Sequence, residues 1–426
     1  MWKIIYNILV NLAVPPFVLY GLTKKKIRKN LFERFSATTR GLPLKNTIWI
    51  HAASVGEAAI AENLMNYMNQ QKDQHRFMIT TNTYYTRDML RAKLGPVVPV
   101  FSMPFDLSYL VSRFIGTSHF KALVIIETEI WPNLIWQAKK YQIPIVIVNG
   151  RISDQTITTY RRISPFINHV LQHVSHVAAQ SEEHMKRFIS IGMDTDKISN
   201  TGNIKYCRML KDVVDDKAKE NVITFGSIKE KELEIVLPVV VSLKNDYPDT
   251  LIYIAPRELH LTTTIETELS KSFQVARFSS IKAGVTGKTD IIIVDTIGDL
   301  INIYGKSMVA FVGGSLAPYG GQNILEPLFF GTPVIFGPYM ENFKDIANIV
   351  IESKAGVIVS NGPELYGTIK KIMSDESLRR EMGNAGRLII QKQQDVMRKT
   401  VDIILNIMKA GDGGDRQWEI KLMAPS

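Results

Sequence analysis

The sequence predicts an α/β fold with two doubly wound domains, each built around a parallel β-sheet. Short apolar runs rich in β-branched residues alternate with amphipathic stretches along most of the 426 residues. The runs are apolar throughout, which is typical of strands that helices cover on both faces of a parallel sheet. Residues 211–220 are highly charged and carry no strand pattern. They divide the runs into two series, and we therefore place an interdomain linker there.

Composition narrows the class of protein. Hydrophobic residues make up 45% of the chain and charged residues 22%, which fits a folded globular protein. The single cysteine, Cys207, excludes an internal disulfide framework. The sequence has no GxxxxGK(S/T) phosphate loop, no HExxH or CxxC motif, and no GxGxxG after the first predicted strand. These absences argue against P-loop kinases, zinc proteases and standard dinucleotide dehydrogenases.

The N-terminal segment, residues 1–23, is predicted to be a membrane anchor. Its central part is uncharged and apolar over about the length that crosses a bilayer. The run KKKIRK (24–29) follows, and residues 1–40 hold eight basic side chains against one acidic, which is +7 of the net +10. By the positive-inside rule the rest of the chain faces the cytoplasm, beside an anionic membrane surface rather than nucleic acid. Asn7, Asn11 and the Pro15–Pro16 pair weaken a spanning helix and leave a buried or an interfacial helix open as alternatives.

Eleven apolar runs predict the strands in chain order. In the first domain, residues 24–212, they are TIWIHA (47–52), FMITT (77–81), VVPVF (97–101), ALVIIE (122–127), IPIVIV (143–148) and HVAAQ (176–180). In the second domain, residues 213–410, they are NVITFG (221–226), TLIYIA (250–255), DIIIVD (290–295), MVAFVGG (308–314) and PVIF (333–336). Residues 411–426 are predicted to be a tail. Ligands of doubly wound sheets bind beyond the carboxyl ends of the strands, so we expect a site in a cleft between the domains.

The first candidate site residue is Glu57, in HAASVGE (51–57) directly after the first predicted strand. Ser54 and Glu57 have the spacing of a capping box, which is a purely structural explanation. The position also favours a role at the site, because a carboxylate at the end of this strand opens onto the ligand-binding edge. Gly56 beside it lets a substrate approach the backbone closely. Glu57 can serve both roles.

Three more candidates belong to the first domain. Glu127 and Glu129, in ETEIWPN, follow a wholly apolar strand and precede a predicted helix start. A solvated surface explains such a pair poorly, and we expect a role at the site. Lys205, in TGNIK, ends the first domain close to the linker and is expected to face the same cleft. An ordinary surface lysine is the alternative.

The segment GGSLAPYGGQNILEP (313–327) is the most informative part of the second domain. Its glycines follow a predicted strand, so the turn exposes backbone N–H groups and leads into a helix near Asn323. That arrangement is a ready site for a phosphate or nucleotide, with Glu326 placed to accept ribose hydroxyls. Arg257, at the end of an earlier strand, is a suitable phosphate ligand. Gly298, in DTIGDL, lies at a predicted helix start.

Two further patterns are weak indications of a metal site. Asp194 and Asp196 match the metal-binding DxD of some sugar transferases, but they lie in a polar loop and not at the end of a buried strand. His169, His173 and His176 have helical spacing, which places three imidazoles on one face. No cysteine or carboxylate accompanies them, so a surface face is preferred. We therefore assign no metal site.

Eight motifs in this order resemble one known family. They are HAASVGE, ETEIWPN, NGRIS (149–153), AAQSEE (178–183), TGNIK, APR (255–257), DTIGDL and GGSLAPYGGQNILEP. From the anchor to about residue 405, the chain resembles the Kdo (3-deoxy-D-manno-octulosonic acid) transferases of Gram-negative lipopolysaccharide synthesis. Those enzymes have the GT-B architecture, in which two Rossmann-like domains face a cleft, and they transfer Kdo from CMP-Kdo with inversion. Their acceptor is the lipid A precursor, a phosphorylated glucosamine disaccharide held in the membrane.

The resemblance implies roles for particular residues. It implies that Glu57 is the general base and that Glu127 and Lys205 stabilise the transition state. The residues implied in CMP-Kdo binding, without metal or cofactor, are Pro256, Arg257, Ile297, Gly298, Asp299, Asn323, Ile324, Leu325 and Glu326. A base fits the chemistry, because a sugar hydroxyl has a pKa far above 7 and must lose its proton as it attacks the anomeric carbon. The resemblance further implies an enzyme of the inner membrane whose domains face the cytoplasm.

The chain departs from the family pattern at four places. Gln322 stands where the family usually has His, Cys207 where it has Asp, and Asp299 where Glu is common. The loop 226–232 lacks a Thr-His pair that the family often shows. Retention of the three implied catalytic residues favours an active enzyme. The alternatives are a weak or inactive homologue that binds CMP or lipid A precursor at the membrane, and a GT-B transferase for another nucleotide sugar.

Overall fold

The computed structural model describes residues 1–426 apart from 24, 40, 41, 43, 71–73, 117, 208–218, 286 and 413–426. The chain falls into two compact units. The first comprises Met1–Met209 and Gln393–Ser426, and the second comprises Leu210–Lys392. Most of the predicted linker and of the predicted tail lies outside the described residues.

A parallel sheet of seven strands forms the centre of the first unit. Its strands are β1 (Thr47–His51), β2 (Arg76–Thr81), β3 (Val100–Ser102), β4 (Phe120–Ile126), β5 (Ile145–Gly150), β6 (His176–Ala179) and β7 (Ile198–Asn200). Its helices are α1 (Trp2–Thr23), α2 (Lys25–Ser36), α3 (Val55–Gln70), α4 (Tyr84–Leu94), α5 (Ser108–Ile115), α6 (Pro132–Lys140), α7 (Asp154–Arg162), α8 (Ser164–Leu171) and α9 (Glu182–Ser190). The strand order is β3-β2-β1-β4-β5-β6-β7, and every pair is parallel, which confirms the predicted sheet.

The second unit repeats this architecture. Its strands are β8 (Val222–Ile228), β9 (Leu251–Pro256), β10 (Val275–Arg277), β11 (Ile291–Ile293), β12 (Val309–Val312), β13 (Val334–Phe336) and β14 (Gly356–Ile358). Its helices are α10 (Leu233–Asp246), α11 (Leu261–Leu269), α12 (Phe278–Lys282), α13 (Leu300–Lys306), α14 (Leu325–Phe329), α15 (Lys344–Glu352), α16 (Gly362–Ser374) and the start of α17 (Glu376–Asp412). The order is β10-β11-β9-β8-β12-β13-β14, again with parallel pairs throughout.

The sequence did not predict β7, β10 and β14. Each has three residues at the outer edge of its sheet, and none is buried along its whole length. An edge strand has a neighbour on one side only, so it lacks the continuous apolar run that marks a central strand. The predicted run at 97–101 becomes a strand only from Val100, because Gly95–Val97 forms a turn of 3-10 helix.

The strand order reverses at one place in each sheet, and these places position the candidate residues. In the first sheet β1 lies between β2 and β4, and in the second β8 lies between β9 and β12. At such a place the segments that follow two adjacent strands run to opposite faces of the sheet. A crevice opens between these segments beyond the carboxyl ends of the strands, and ligands bind there. Glu57 follows β1 and Glu127 follows β4, while the glycine-rich segment follows β12. The reversals therefore put these motifs at ligand-binding edges.

Alternate residues of the central strands pack on opposite faces of the first sheet. Trp49 lies in the same buried cluster as Phe114, whereas Ile48 and Ile50 lie in another with Leu64 of α3. Burial of both faces favours strands that are apolar at every position, and this is the pattern from which the sheet was predicted.

The long helix α17 belongs to both units. Met397, Val401 and Ile404 lie in the buried cluster that contains residues of β1 and α3. The prediction placed residues 393–410 in the second domain, and in this respect it was wrong, because the structure groups them with the first unit. An amphipathic pattern shows which helix face is apolar but not which sheet that face covers.

The predicted anchor is a continuous helix, with Pro15 and Pro16 inside α1. Among the described residues, α1 is the helix that is long and apolar enough to cross a membrane by length and composition. Its outward side chains include Ile8, 55% exposed, and Leu12, 69% exposed. An exposed apolar face of this kind is typical of a segment that contacts lipid.

The other face of α1 contacts the first unit. The Tyr6 hydroxyl donates a hydrogen bond to Asp106 Oδ2 (2.8 Å), and Asn7 Nδ2 donates to Asn133 Oδ1 (3.1 Å). The Tyr6 ring also lies against Trp136, with the ring centroids 5.8 Å apart. These polar and aromatic contacts fix α1 along one side of the unit.

We predict that Ile404→Ala destabilises the first unit by about 2–5 kcal/mol, because it removes a fully buried side chain of α17. Asn406→Ala, on an exposed position of the same helix, is the matched control. The four tryptophans among the described residues all lie in the first unit, so tryptophan fluorescence during urea unfolding reports on that unit. Equal midpoints for the two variants would contradict the assignment of α17.

Candidate active site

Glu57 lies in the first turn of α3, directly beyond the carboxyl end of β1, and is 8% exposed. The Ala53 N–H donates to Glu57 Oε2 (2.7 Å), and the Ser54 hydroxyl donates to Oε1 (2.8 Å). The N–H of Glu57 donates in turn to Ser54 Oγ (3.3 Å). This is a variant of the capping box in which the carboxylate binds the N–H before the cap residue. Glu57 therefore caps α3, as its spacing predicts.

The surroundings of Glu57 also suit it to accept a proton. Burial raises the pKa of Glu57, and the charges of Glu129 and Glu127 raise it further. The hydrogen bonds from Ala53 and Ser54 act in the opposite direction and lower this pKa. A carboxylate with a raised pKa is a stronger base than an ordinary glutamate. Capping and acid–base chemistry are thus compatible at this position.

Glu129 lies at the same edge, because it follows β4, the strand paired with β1. Its Oε2 accepts hydrogen bonds from Trp131 Nε1 (2.8 Å) and from Asn82 Nδ2 (3.3 Å). Burial raises the pKa of Glu129, and the charge of Glu127 adds to the rise. Asn82 follows β2, so three neighbouring strands contribute polar side chains to one place.

Glu127 leaves β4 with a φ of 60°, in the left-handed region that non-glycine residues rarely adopt. Its N–H still donates to Val148 O on β5 (2.8 Å), so the backbone turns while the pairing continues. The half-buried carboxylate lies 3.9 Å from Arg151 Nε. Backbone strain of this kind is concentrated at functional sites. The conformation therefore supports Glu127 as a candidate.

Arg34 also lies at this edge, although in the sequence it is only one of eight basic residues in the N-terminal segment. Its Nε on α2 donates to Met103 O (2.8 Å), and its guanidinium lies 4.2 Å from the centre of the Phe105 ring. Burial lowers the pKa of Arg34 to about 10, although the charges of Asp106 and Glu129 raise it. An arginine inside a basic run carries no sequence signal of such burial.

Lys205 lies in a turn of 3-10 helix after β7, and its side chain is exposed. The turn is held at the carboxyl end of β5, because the Ile204 N–H donates to Asn149 Oδ1 (3.1 Å). Ile204 packs in the same cluster as residues of α3. The structure thus brings Lys205 to the edge that carries Glu57, but among the described residues it pairs the ammonium with neither Glu57 nor Glu127.

The donor-binding candidates of the second unit leave neighbouring strands at one edge of the second sheet. Pro256 ends β9, and Arg257 follows it with an exposed side chain. The Arg257 N–H donates to Ile228 O at the end of β8 (2.8 Å). Since β11, β9, β8 and β12 are adjacent and parallel, the segments with Asp299 and Asn323 emerge at the same edge.

The segment after β11 exposes the backbone of Gly298 and the apolar side chain of Ile297 to solvent. Gly298 has a φ of +94°, which only glycine adopts readily, and the Ile297 side chain is 90% exposed. Asp299 Oδ2 accepts from Thr296 Oγ1 (2.6 Å), and Oδ1 lies 3.0 Å from Lys282 Nζ. The hydrogen bond from Thr296 lowers the pKa of Asp299. The hydrogen bond and the charge of Lys282 lower it further. Its carboxylate is therefore already engaged within the unit.

The glycine-rich turn differs from the prediction. The sequence predicts a turn with exposed backbone N–H groups, but those of Gly314, Ser315 and Leu316 all donate to the carboxylate of Glu232. Glu232 is 0% exposed. The first half of the turn is therefore not an open anion site, because an internal carboxylate fills it.

The second half of the glycine-rich segment keeps its candidate residues at the edge. The helix predicted near Asn323 begins two residues later, as the five-residue α14. Asn323 Oδ1 accepts from the Leu325 N–H (3.1 Å), and Asn323 Nδ2 donates to Glu326 Oε1 (3.3 Å). Ile324 is fully buried, whereas Asn323 and Glu326 are half-buried. The two polar side chains thus hold each other in place.

The two weak metal patterns have structural explanations. Asp194 Oδ1 accepts from the Asp196 N–H (3.2 Å) and caps a short turn. The predicted helical row of histidines was wrong, because His176 begins β6 and its Nε2 lies 2.9 Å from Ser199 Oγ. Within the described residues no group of three or more His, Cys, Asp and Glu side chains is arranged to hold a metal ion.

Comparison with known proteins identifies the family. A sequence model described as 3-deoxy-D-manno-octulosonic-acid transferase (kdotransferase) matches residues 29–208. The 3-deoxy-D-manno-octulosonic acid transferase of Haemophilus influenzae is 30% identical over 420 residues, which cover 95% of this chain and 98% of that relative. The chain belongs to the Kdo transferase family. The resemblance drawn from the eight motifs is therefore confirmed.

Two further similarities bear on the Kdo transferase fold and class. A bifunctional glycosyltransferase/methyltransferase of Fusobacterium nucleatum is 31% identical over 395 residues, or 89% of this chain, and the chain spans 60% of that relative's length. Among solved structures, MurG of Acinetobacter baumannii matches with a TM-score of 0.50 at 13% identity, covering 85% of this chain and 100% of MurG. With the two parallel seven-stranded sheets, this likeness confirms the GT-B fold.

Proposed function

We propose that this Kdo transferase family member moves Kdo from CMP-Kdo to the phosphorylated lipid A precursor, with inversion and with Glu57 as the general base. Family membership supports the transferred sugar. The observation that carries the mechanism is the Glu57 carboxylate, a buried base of raised pKa at the point where the first sheet reverses its strand order. No metal or cofactor takes part in the proposed chemistry.

In this mechanism Glu57 takes the proton from an acceptor sugar hydroxyl as the hydroxyl oxygen bonds to the anomeric carbon of Kdo. The bond between that carbon and the phosphate oxygen breaks, and CMP leaves with its electron pair. The phosphate of CMP needs no proton to leave at neutral pH. Lys205, exposed at the same edge as Glu57, supplies positive charge to the transition state, and Glu127 supports it from the end of β4.

Three features of the second unit support binding of CMP-Kdo. Arg257 is an exposed guanidinium at the end of β9, and it suits a phosphate. Asn323 and Glu326 are polar groups at the same edge that can bind ribose hydroxyls. Ile297 offers an exposed apolar surface beside Gly298. Together they supply the charge, the hydrogen bonds and the apolar contact that a nucleotide needs.

We further propose that the enzyme lies at the cytoplasmic face of the inner membrane. The exposed apolar face of α1 supports this location. Arg34, on the helix that follows α1, reaches the edge that carries Glu129, so the membrane-proximal segment and the site belong to one unit. The side chains of the predicted basic cluster at 24–27 and 29 lie outside the described residues, and their contact with anionic lipid stays a prediction.

A catalytically inactive homologue that binds CMP or the lipid A precursor is the second candidate. One observation favours it, since both oxygens of Glu57 already accept hydrogen bonds from Ala53 and Ser54 as a helix cap requires. A cap needs an acceptor and not a base. The two candidates therefore differ in what a Glu57→Gln substitution does.

We predict that Glu57→Gln lowers the turnover of Kdo transfer by roughly 100-fold to 10,000-fold, because the amide keeps the shape and the cap but takes no proton. CMP affinity and melting temperature should stay close to those of the wild type. Turnover and CMP binding are measured on the same preparations.

Arg257→Ala is the complementary variant. It should weaken CMP binding while the base stays intact, because Arg257 belongs to the second unit. Near-normal turnover of Glu57→Gln would contradict the proposed base and support the capping role alone.

The pH dependence of transfer should shift in Glu129→Gln. The charge of Glu129 raises the pKa of Glu57, so its removal lowers that pKa. A general base works only when deprotonated, and the acid limb of kcat/KM therefore moves to lower pH. Glu182→Gln, on the exposed start of α9, is the control. An unchanged acid limb in Glu129→Gln would show that Glu57 is not the titrating base.

Membrane association should depend on the exposed face of α1. The double variant Ile8→Asn, Leu12→Asn loses roughly 2 kcal/mol of apolar transfer free energy per side chain and should leave the membrane fraction. Tyr6→Phe removes the hydrogen bond to Asp106 on the packed face. It should lower the melting temperature and leave membrane binding unchanged. Sedimentation with inner-membrane vesicles measures the membrane binding of the double variant and of Tyr6→Phe. Retention of the double variant on the vesicles would rule out this face as the anchor.

A further inference from the structure

The loop after β12 forms a concave row of backbone N–H groups beside the loop after β8. The two strands are neighbours, and the Gly313 N–H donates to Gly226 O (2.8 Å) where they end. Gly314, Ser315 and Leu316 then point consecutive N–H groups to one side. Such a row is a typical binding site for a phosphate or another anion. In this protein the anion is part of the chain.

Glu232, in the loop after β8, fills the row with both of its carboxylate oxygens. Oε2 accepts hydrogen bonds from the N–H of Gly314 (2.7 Å) and from the N–H of Lys229 in the same loop (3.0 Å). Oε1 accepts from the N–H of Ser315 and of Leu316, both at 2.8 Å. Glu232 is 0% exposed, and among the described residues no basic side chain forms an ion pair with it. Four backbone dipoles therefore stabilise its charge.

The sequence around the row is adapted to this carboxylate. A Cβ atom at Gly313 would lie 2.8 Å from Glu232 Oε2 and 2.9 Å from Ile228 Cα, so a larger residue has no room there. Gly314 has a φ of +68°, which turns its N–H toward the carboxylate. Glycines at these two positions are thus explained by the buried acid and not by an approaching ligand.

Further contacts extend from this carboxylate to the donor-binding candidates. The Gly321 N–H donates to Gly314 O (2.8 Å) and closes the loop immediately before Gln322 and Asn323. The hydroxyl of Tyr319 in the loop accepts from the Lys231 N–H (3.3 Å), beside Glu232. The conformation of residues 313–321, and with it the place from which Asn323 emerges, therefore depends on the neighbouring loop.

We propose that Glu232 is a positioning residue for the nucleotide donor. Its carboxylate takes the place of an external anion, fixes the loop 313–321, and sets the position of Asn323 and Glu326. Because the N–H row is filled, the phosphate of the donor binds through Arg257 and not at this loop. The inference rests on the proposed function in one respect, namely that Asn323 and Glu326 contact CMP.

The test compares three variants of the full chain. Glu232→Ala removes the carboxylate from the row of backbone N–H groups. Glu232→Gln keeps the side-chain volume, but its amide N–H groups then face backbone N–H donors. Glu230→Ala removes an exposed carboxylate from the same loop and is the matched control. Each is measured for CMP affinity by calorimetry and for melting temperature, with sodium formate or with sodium chloride at equal ionic strength. Formate is a small carboxylate that fits the space left by Glu232→Ala.

We expect CMP affinity to fall by roughly tenfold or more in Glu232→Ala and Glu232→Gln, since charged hydrogen bonds that fix the loop are lost. The KM for the acceptor should stay unchanged, because the acceptor candidates lie in the first unit. Formate should restore both CMP affinity and melting temperature in Glu232→Ala alone. Chloride should restore neither. A side chain that merely stabilises the fold would not give this selective recovery of nucleotide binding.

Two results would overturn the proposal. One is CMP affinity within about twofold of the wild type in both Glu232 variants. The other is recovery of melting temperature by formate without recovery of CMP affinity. If Glu232→Ala does not fold, the affinity of Glu232→Gln against Glu230→Ala decides. Failure of the proposed function gives a different result from failure of this proposal. In that case the wild type itself does not bind CMP, whereas formate still raises the melting temperature of Glu232→Ala.

Discussion

Parallel pairing of neighbouring strands is the constraint on which both groups of candidate residues depend. Every strand of a parallel sheet ends at the same edge, so polar segments that follow β1, β2 and β4 must meet there. The reversal of strand order beside β1 and β8 keeps that edge open for side chains. Glu57 and Glu129 occupy it in the first unit, and Arg257 and Asn323 occupy it in the second.

Among the described residues, three buried carboxylates accept hydrogen bonds from backbone N–H groups. Glu57 binds the N–H of Ala53, Asp106 binds that of Leu134 (2.8 Å), and Glu232 binds four such groups. Backbone donors at turns and helix starts lack partners within the helix, so a carboxylate there satisfies them and is itself stabilised. Burial is the largest influence on the pKa of Asp106 and of Glu57. It raises the pKa of Asp106 to about 6 and also raises the pKa of Glu57.

The sequence predicted the central strands and the residues that directly follow them. Ile50 and Ile125 lie in continuous apolar runs, and Glu57 and Glu129 are polar groups close after the ends of such runs. The local sequence pattern was therefore sufficient to predict both the strands and the positions of these acids. Arg34 and Glu232 were missed, because each lies in a charged stretch that looks like solvent-exposed surface. Arg34 is half-buried and Glu232 is fully buried, and in both cases the covering loops and helices are brought there by tertiary packing. The same reason explains why residues 393–410 were assigned to the wrong domain.

The central claim is that the protein transfers Kdo from CMP-Kdo to the lipid A precursor. Its most direct test is mass spectrometry of the glycolipid formed when membranes that contain the protein are incubated with CMP-Kdo and the lipid A precursor. The account predicts a product heavier than the precursor by one or more Kdo residues, with release of CMP. An unchanged precursor with CMP-Kdo, together with a glycosylated product from another nucleotide sugar, would contradict it.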